Sequence, residues 1–225
     1  MRPHMKESIG VPLTPEMRSR CQRYAEEVYL SNADKYAERG QTNREKIVRQ
    51  NTCGKLAELA TEQYLRELCI EVTYGADFRV YDARRKKHDA DLRVLLNNTV
   101  THVAVKSCDR ANAEERGLSW VFQYEQDGAD TDDLFFREEG FSYISCVGVD
   151  VQKLEARIFG MPKVTKKLMD EIVKRGIPMV AQMRNTKRVL YPDFLDEMDT
   201  RQRWQLKTDY FTALFPVESV PGGAQ

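Results

Sequence analysis

The fold turns on one stretch, 91-DLRVLLNNTVTHVAVKS-107. Two apolar runs, 91–96 and 101–106, flank Asn97-Asn98, and paired asparagines supply turn chemistry. The pattern predicts two strands joined as an antiparallel hairpin. In such a pair the start of one strand lies beside the end of the other, which brings Asp91 and Lys106 to the same end of a sheet. Side chains alternate along a strand, so residues 104 and 106 share a face and residue 105 points away. A lysine closing an apolar strand is an unusual place for a charge, and Ala104 lies on its face.

Upstream of the hairpin, apolar positions recur at helical spacing. Met17, Cys21, Tyr24 and Val28 predict a helix over 15–39, with Thr14 as N-cap and Gly40 as its stop. Leu56, Leu59, Ala60, Tyr64 and Leu68 mark one face of a second helix, from Asn43 to Leu68. Within it Gly54 signals a break or a close helix contact. The β-branched and aromatic segment 70–82 reads as strand or hairpin. Downstream, 118–124, 141–149, 154–160 and 177–181 read as strands. A helix spans 164–175 before Gly176, and one or two helices follow near the C-terminus. These elements give three regions: a helical N-terminal arm (1–42), a core (43–160) and a basic C-terminal region packed on it (161–225). The expected class is α/β, a mixed central sheet flanked by helices.

Composition narrows the setting without choosing a partner. Lys+Arg and Asp+Glu both number 35, so net charge favours neither nucleic acid nor membrane, although a neutral chain can carry a basic cleft. No apolar run reaches the roughly 20 residues of a membrane helix, and MRPHMKESIG lacks the apolar segment of a secretory signal. Five widely spaced cysteines with no CxxC pair argue against a zinc ribbon and for free thiols in a reducing cytoplasm.

A carboxylate at 91 and an ammonium at 106 suit metal-dependent phosphodiester hydrolysis. Acidic oxygens hold Mg²⁺, the metal acidifies a bound water, and a lysine stabilises charge building on the phosphate. The runs DLRV and VAVKS resemble motifs II and III of the PD-(D/E)XK nuclease superfamily, with its restriction-endonuclease-like core. In 54-GKLAELATEQYL-65, Glu58 matches the glutamate of that family's upstream helix, and the order helix, Asp strand, lysine strand is kept. The resemblance covers roughly 45–125. It implies that Asp91 is the principal metal ligand, Glu58 a metal-associated acid, the Val105 carbonyl a further ligand and Lys106 the catalytic lysine. It also implies Mg²⁺, with Mn²⁺ as substitute, and double-stranded DNA as partner. A homodimer would supply the two sites that a double-strand cut needs.

Ala104 departs from the family, which places Asp or Glu there. Three explanations stay open: an introduced Glu→Ala change, a carboxylate migrated elsewhere with Glu58 as candidate, or a degenerate relative that binds DNA without cutting it. The expected activity is thus a Mg²⁺-dependent endodeoxyribonuclease, inactive or slow with alanine at 104; the alternative is a non-catalytic DNA-binding protein. A metabolic α/β enzyme would need a glycine-rich phosphate loop or nucleophile elbow, and neither is present.

Several other residues carry double readings. Gln123 ends the strand after the lysine, where some branches of the superfamily use a glutamine, while Trp120 and Phe122 face the core. Asp89 competes with Asp91 for the metal. His102 reads as a half-buried structural residue or an aid to water activation, Ser107 as packing or a phosphate contact, and His88 as an exposed loop residue or a DNA-phosphate contact. The acidic segment 125–133 lacks EF-hand spacing and reads as a solvated loop. Basic residues gather at 84–87 and again at Lys163, Lys166, Lys167, Lys174, Arg175, Arg184, Lys187, Arg188, Arg201, Arg203 and Lys207. Solvated faces explain many of them, and a DNA groove would use others. Trp204 and Tyr210, beside basic residues, read as core packing, with stacking on bases as the alternative.

Overall fold

The computed structural model describes residues 7–38, 40–81, 91–111, 113, 117–125, 131–135 and 142–214. The basic run 84–87, His88, Asp89, positions 126–130 of the acidic segment and the C-terminal tail lie outside the described residues.

The decisive hairpin forms. Strand β3 (Leu92–Leu96) pairs antiparallel with β4 (Thr99–Asp109) in a register from Leu92 opposite Val103 to Leu96 opposite Thr99. Asn97 and Asn98 take φ of 51° and 58°, the pair of left-handed residues that a two-residue hairpin turn needs to match strand twist. β4 continues past its predicted end at Lys106, because its other edge pairs in parallel with β6 (Ser142–Asp150), from His102 opposite Ser142 to Asp109 opposite Val149. That neighbour satisfies the backbone of β4 after β3 has ended.

Six strands make one mixed sheet in the order β1-β7-β6-β4-β3-β2, where β1 is Ile9–Pro12, β2 Val72–Tyr74 and β7 Glu155–Gly160. β5 (Trp120–Gln123) and β8 (Lys187–Leu190) form a separate antiparallel ribbon. All residues of β6 are buried, as a strand covered on both faces must be.

The two faces have different covers. Helix α3 (Arg44–Glu67), capped by the Asn43 side chain, packs Leu56, Ala60 and Leu65 onto Leu92, Val94, Val103 and Val147. Helix α1 (Pro15–Ser31), capped by Thr14, lies against α3. On the other face Ala104, Ile144 and Cys146 meet Trp120 and Phe122 of the ribbon, and Leu168, Met169 and Ile172 of helix α4 (Lys166–Arg175). Along β4, therefore, Val103 and Val105 pack on the α3 side, while Ala104 and Cys108 pack on the ribbon side.

Some elements differ from the sequence expectation. The predicted helix 15–39 breaks at Asn32, whose side-chain amide donates to the Val28 carbonyl at 3.0 Å; α2 (Ala33–Glu38) follows. A side chain that competes for a helical carbonyl favours a helix end. Over the described residues 70–81, the segment predicted as strand or hairpin yields only the short β2, since Ala76 N–H turns to the Glu62 carboxylate at 2.8 Å instead of a neighbouring strand. The strand placed at 177–181 forms instead at β8. Pro178 removes a donor from the earlier segment. In β8 the buried Arg188 guanidinium donates to the carbonyls of Val173, Arg184 and Lys187, so a charged residue is tolerated there. The region read as wholly helical also supplies β1, an edge strand ending in Pro12, as edge strands can.

Near the C-terminus, α5 (Pro192–Asp196), α6 (Thr200–Arg203) and α7 (Gln205–Leu214) return the chain to the α3 side. Trp204 is buried there, edge-on to Tyr64 with ring centroids 6.3 Å apart. No helix among the described residues is long and apolar enough to cross a membrane.

Candidate functional site

Asp91 occupies the bend just before β3. One of its carboxylate oxygens, Oδ2, accepts the Val105 N–H at 2.7 Å. The β3–β4 ladder ends at Leu92 and Val103, so the Asp91 side chain satisfies an amide that lies beyond the ladder. A strand residue presents its carbonyl on the same side as its amide. The Val105 carbonyl therefore faces the same sheet edge as Asp91, and the register carries Asp91 level with Ala104.

Lys106 shares the face of Ala104. Its ammonium lies 5.0 Å from the centroid of the Phe122 ring and forms an ion pair with Asp132. Both side chains are largely withdrawn from water, at 19% and 13% exposure. Asp132 is held on all sides: its N–H donates to the Gln123 carbonyl at 2.9 Å, its Oδ1 accepts Leu134 N–H at 3.2 Å, and its carbonyl accepts Phe135 N–H at 3.0 Å. Thr131 Oγ1 accepts Glu125 N–H at 3.0 Å and donates to the Glu125 carbonyl at 3.1 Å. Part of the segment read as a solvated loop is thus a bonded turn that delivers a carboxylate to Lys106. The available signal was an aspartate directly before Asp133-Leu134-Phe135, the position from which a side chain caps a helical turn. Gln123 meets the site through its backbone, as the anchor of Asp132.

Glu58 lies across the sheet from Lys106, on α3. Lys55 Nζ donates to Glu58 Oε2 at 2.5 Å and to the Asp77 carbonyl at 2.8 Å, with the ammonium 4.9 Å from the Tyr24 ring centroid. Burial first, then the charges of Glu58, Asp77 and Asp91, push the Tyr24 hydroxyl up to about 12. Glu58 and Asp91 thus act on one phenol, while Lys106 faces the ribbon. Burial would raise the Asp77 carboxyl, yet hydrogen bonds from Arg79, Tyr74 and Tyr81 hold it well below the usual carboxylate range. No three His, Cys, Asp or Glu side chains converge to hold a metal among the described residues. The oxygen donors at one edge are the Asp91 carboxylate and the Val105 carbonyl. That set suits a Mg²⁺ ion that keeps waters and takes phosphate oxygens, the ion's ordinary habit, rather than an all-protein cage.

The remaining candidates have mostly packing surroundings. Ser107 hydrogen-bonds the Cys53 thiol, which burial pushes up to about 12, and its Oγ lies 3.8 Å from where a Cβ on Gly54 would stand. A Cβ at Gly54 would meet that strand residue only at ordinary van der Waals distance, and the helix runs through the position without the expected break. His102 is half-buried opposite Arg93. Arg188 and Arg203, counted among the basic residues, are buried and bonded to backbone carbonyls. Lys166, Lys167, Lys174 and Arg184 are exposed, and they belong to α4 and the segment after it, on the Lys106 side of the sheet.

No protein-family model matches this chain, and no curated protein or solved structure matches it either.

Proposed function

We propose that the chain is a metal-dependent DNA nuclease of the PD-(D/E)XK type. The observation that carries this reading is the Asp91–Val105 hydrogen bond, which sets an acid against the backbone between positions 104 and 106. The order of helix with Glu58, strand with Asp91 and strand with Lys106 supports it, as does a mixed sheet with helices on its faces.

In this reading Asp91 and the Val105 carbonyl hold Mg²⁺ or Mn²⁺. The metal would polarise a phosphate oxygen and acidify a water. Val105 N–H fixes one Asp91 oxygen beside the backbone that would share the metal. The Lys106 ammonium meets charge growing on the scissile phosphate in a site partly shielded from water, where such an interaction is strong. Glu58, engaged by Lys55, adds negative potential rather than a ligand. The exposed lysines and Arg184 on the Lys106 side give a phosphate backbone a path toward it.

A second reading, a DNA-binding protein without chemistry, draws on Ala104. It is 8% exposed among Trp120, Phe122 and Ile144, an apolar setting with no oxygen donor of its own. Incubation with plasmid and linear duplex in Mg²⁺ and in Mn²⁺ separates the two readings. Cleavage that is lost in Asp91→Ala and Lys106→Ala supports the nuclease. Salt-sensitive binding with no cleavage in either metal supports the binder.

A further inference from the structure

We propose that Asp132 supplies the carboxylate that position 104 lacks, as the residue that positions Lys106; this rests on the nuclease reading. The superfamily pattern places an acid two residues before the lysine, on the same face. Here that position is an alanine packed in an apolar cluster, yet the lysine does not lack an anionic partner. The partner arrives from a turn 26 residues downstream and meets Lys106 on the face that residue 104 occupies.

Three features separate this pair from a chance surface contact. Both side chains are mostly buried, so the arrangement must offset the desolvation of two charges. The Asp132 backbone is bonded through both its N–H and its carbonyl, which fixes the carboxylate before any substrate arrives. The anchor of that backbone is Gln123, at the end of the strand that lays Phe122 under the ammonium. An ammonium on a flexible four-carbon stem gains most from such a fixed partner, because its orientation is otherwise lost to rotamer entropy. Asp132 thus gives Lys106, from another element, a fixed carboxylate on the face that residue 104 occupies. A glutamate at 104 would also have to displace part of the Trp120–Phe122 packing, which overpacking makes costly.

The test compares wild type, Asp132→Asn, Asp132→Glu and the double variant Ala104→Asp/Asp132→Asn, with thermal unfolding as the folding control. Asparagine keeps the Leu134 cap and removes only the charge. The expected result is a fall in kcat of about tenfold or more for Asp132→Asn with little change in KM, the mark of an interaction made in the transition state. Partial recovery is expected in Asp132→Glu or in the double variant. A second readout needs neither metal nor substrate: the Lys106 ammonium resonance, slowed in exchange by its ion pair, is seen in wild type and lost in Asp132→Asn. If wild type cleaves and Asp132→Asn cleaves as fast or faster, the inference fails and the nuclease reading stands. If wild type cleaves nothing in Mg²⁺ or Mn²⁺, the nuclease reading fails and takes the inference with it.

Discussion

The Asp91 carboxylate accepts the Val105 amide hydrogen at 2.7 Å, joining the bend before one strand to the middle of the next where their ladder has run out. An acid in this place closes the sheet edge and also faces the segment that carries Lys106. Replacing it separates the two roles. Asp91→Ala leaves a backbone donor without its partner and is expected to cost about 1–3 kcal/mol in urea denaturation. Asp91→Asn keeps an acceptor for Val105 and should cost under about 1 kcal/mol. On the nuclease reading both lose cleavage by about a hundredfold or more, the scale for removing one pre-arranged electrostatic group.

Thr61 and Ser145 share a buried hydrogen bond of 2.9 Å between α3 and β6. Thr61→Val strands the serine hydroxyl and is expected to destabilise by about 1–3 kcal/mol. The double variant Thr61→Val/Ser145→Ala should cost less than the sum of the single changes, because neither hydroxyl is then left alone. A double-mutant cycle by chemical denaturation checks this.

Arg203 is buried, donates to the Phe159 carbonyl at 2.7 Å, contacts the Glu7 carbonyl and pairs with Asp196 at 3.3 Å. One guanidinium thus ties α6 to β7 and to the chain entering β1. Arg203→Met should destabilise by roughly 3 kcal/mol, within the range for breaking a buried charged network. Arg203→Lys should recover little of this, since a single ammonium lacks the guanidinium's forked donors. On the nuclease reading, a folded Arg203→Lys protein that cleaves or binds DNA less well than wild type would contradict this purely structural role.

Stability should fall at alkaline pH. Burial is the leading cause that pushes Tyr24, Tyr64, Cys21 and Cys53 each up to about 12. Because the folded values are raised, the unfolded chain ionises first. Their contribution is complete below the ordinary values, 9.0 for the thiols and 10.0 for the phenols, and is lost as pH rises toward about 12. Urea midpoints measured across that range, with tyrosinate absorbance followed in parallel, should fall before the buried tyrosines titrate.

Asn98 takes φ of 58° in the hairpin turn. Asn98→Gly should leave stability unchanged or slightly raised, and Asn98→Val should lower it by about 1–2 kcal/mol, the cost of a β-carbon in the left-handed region. Thermal unfolding distinguishes them.

The hairpin, the long helix α3 and the alternation of faces along β4 were legible in the residues. Each depends on neighbours in sequence: an asparagine pair that accepts positive φ, apolar spacing of three and four, a side-chain period of two. The mixed α/β class followed from the order of those elements. The strand placed at 177–181 was misread because β-branched composition reports propensity, whereas pairing depends on a partner edge. That edge went to β8, where a buried arginine finds backbone carbonyls that no local pattern announces.

The sequence also brought Asp91 and Lys106 to the same end of the sheet, since a hairpin joined at Asn97-Asn98 sets the two strands antiparallel; in the structure Asp91 meets the Val105 amide and Lys106 meets Asp132. What it could not determine was the company of each charged group. The parallel pairing of β4 with β6 carries β4 beyond Lys106, α3 holds Glu58 on the opposite face with Lys55, and a turn far along the chain brings Asp132 to Lys106. Apart from the Lys55–Glu58 pair, which lies three residues apart on one helix, these contacts join residues tens of positions apart, and their geometry is set by which faces pack together. Local sequence fixes which way a side chain points from its own strand; only the packed tertiary structure decides which charge meets it.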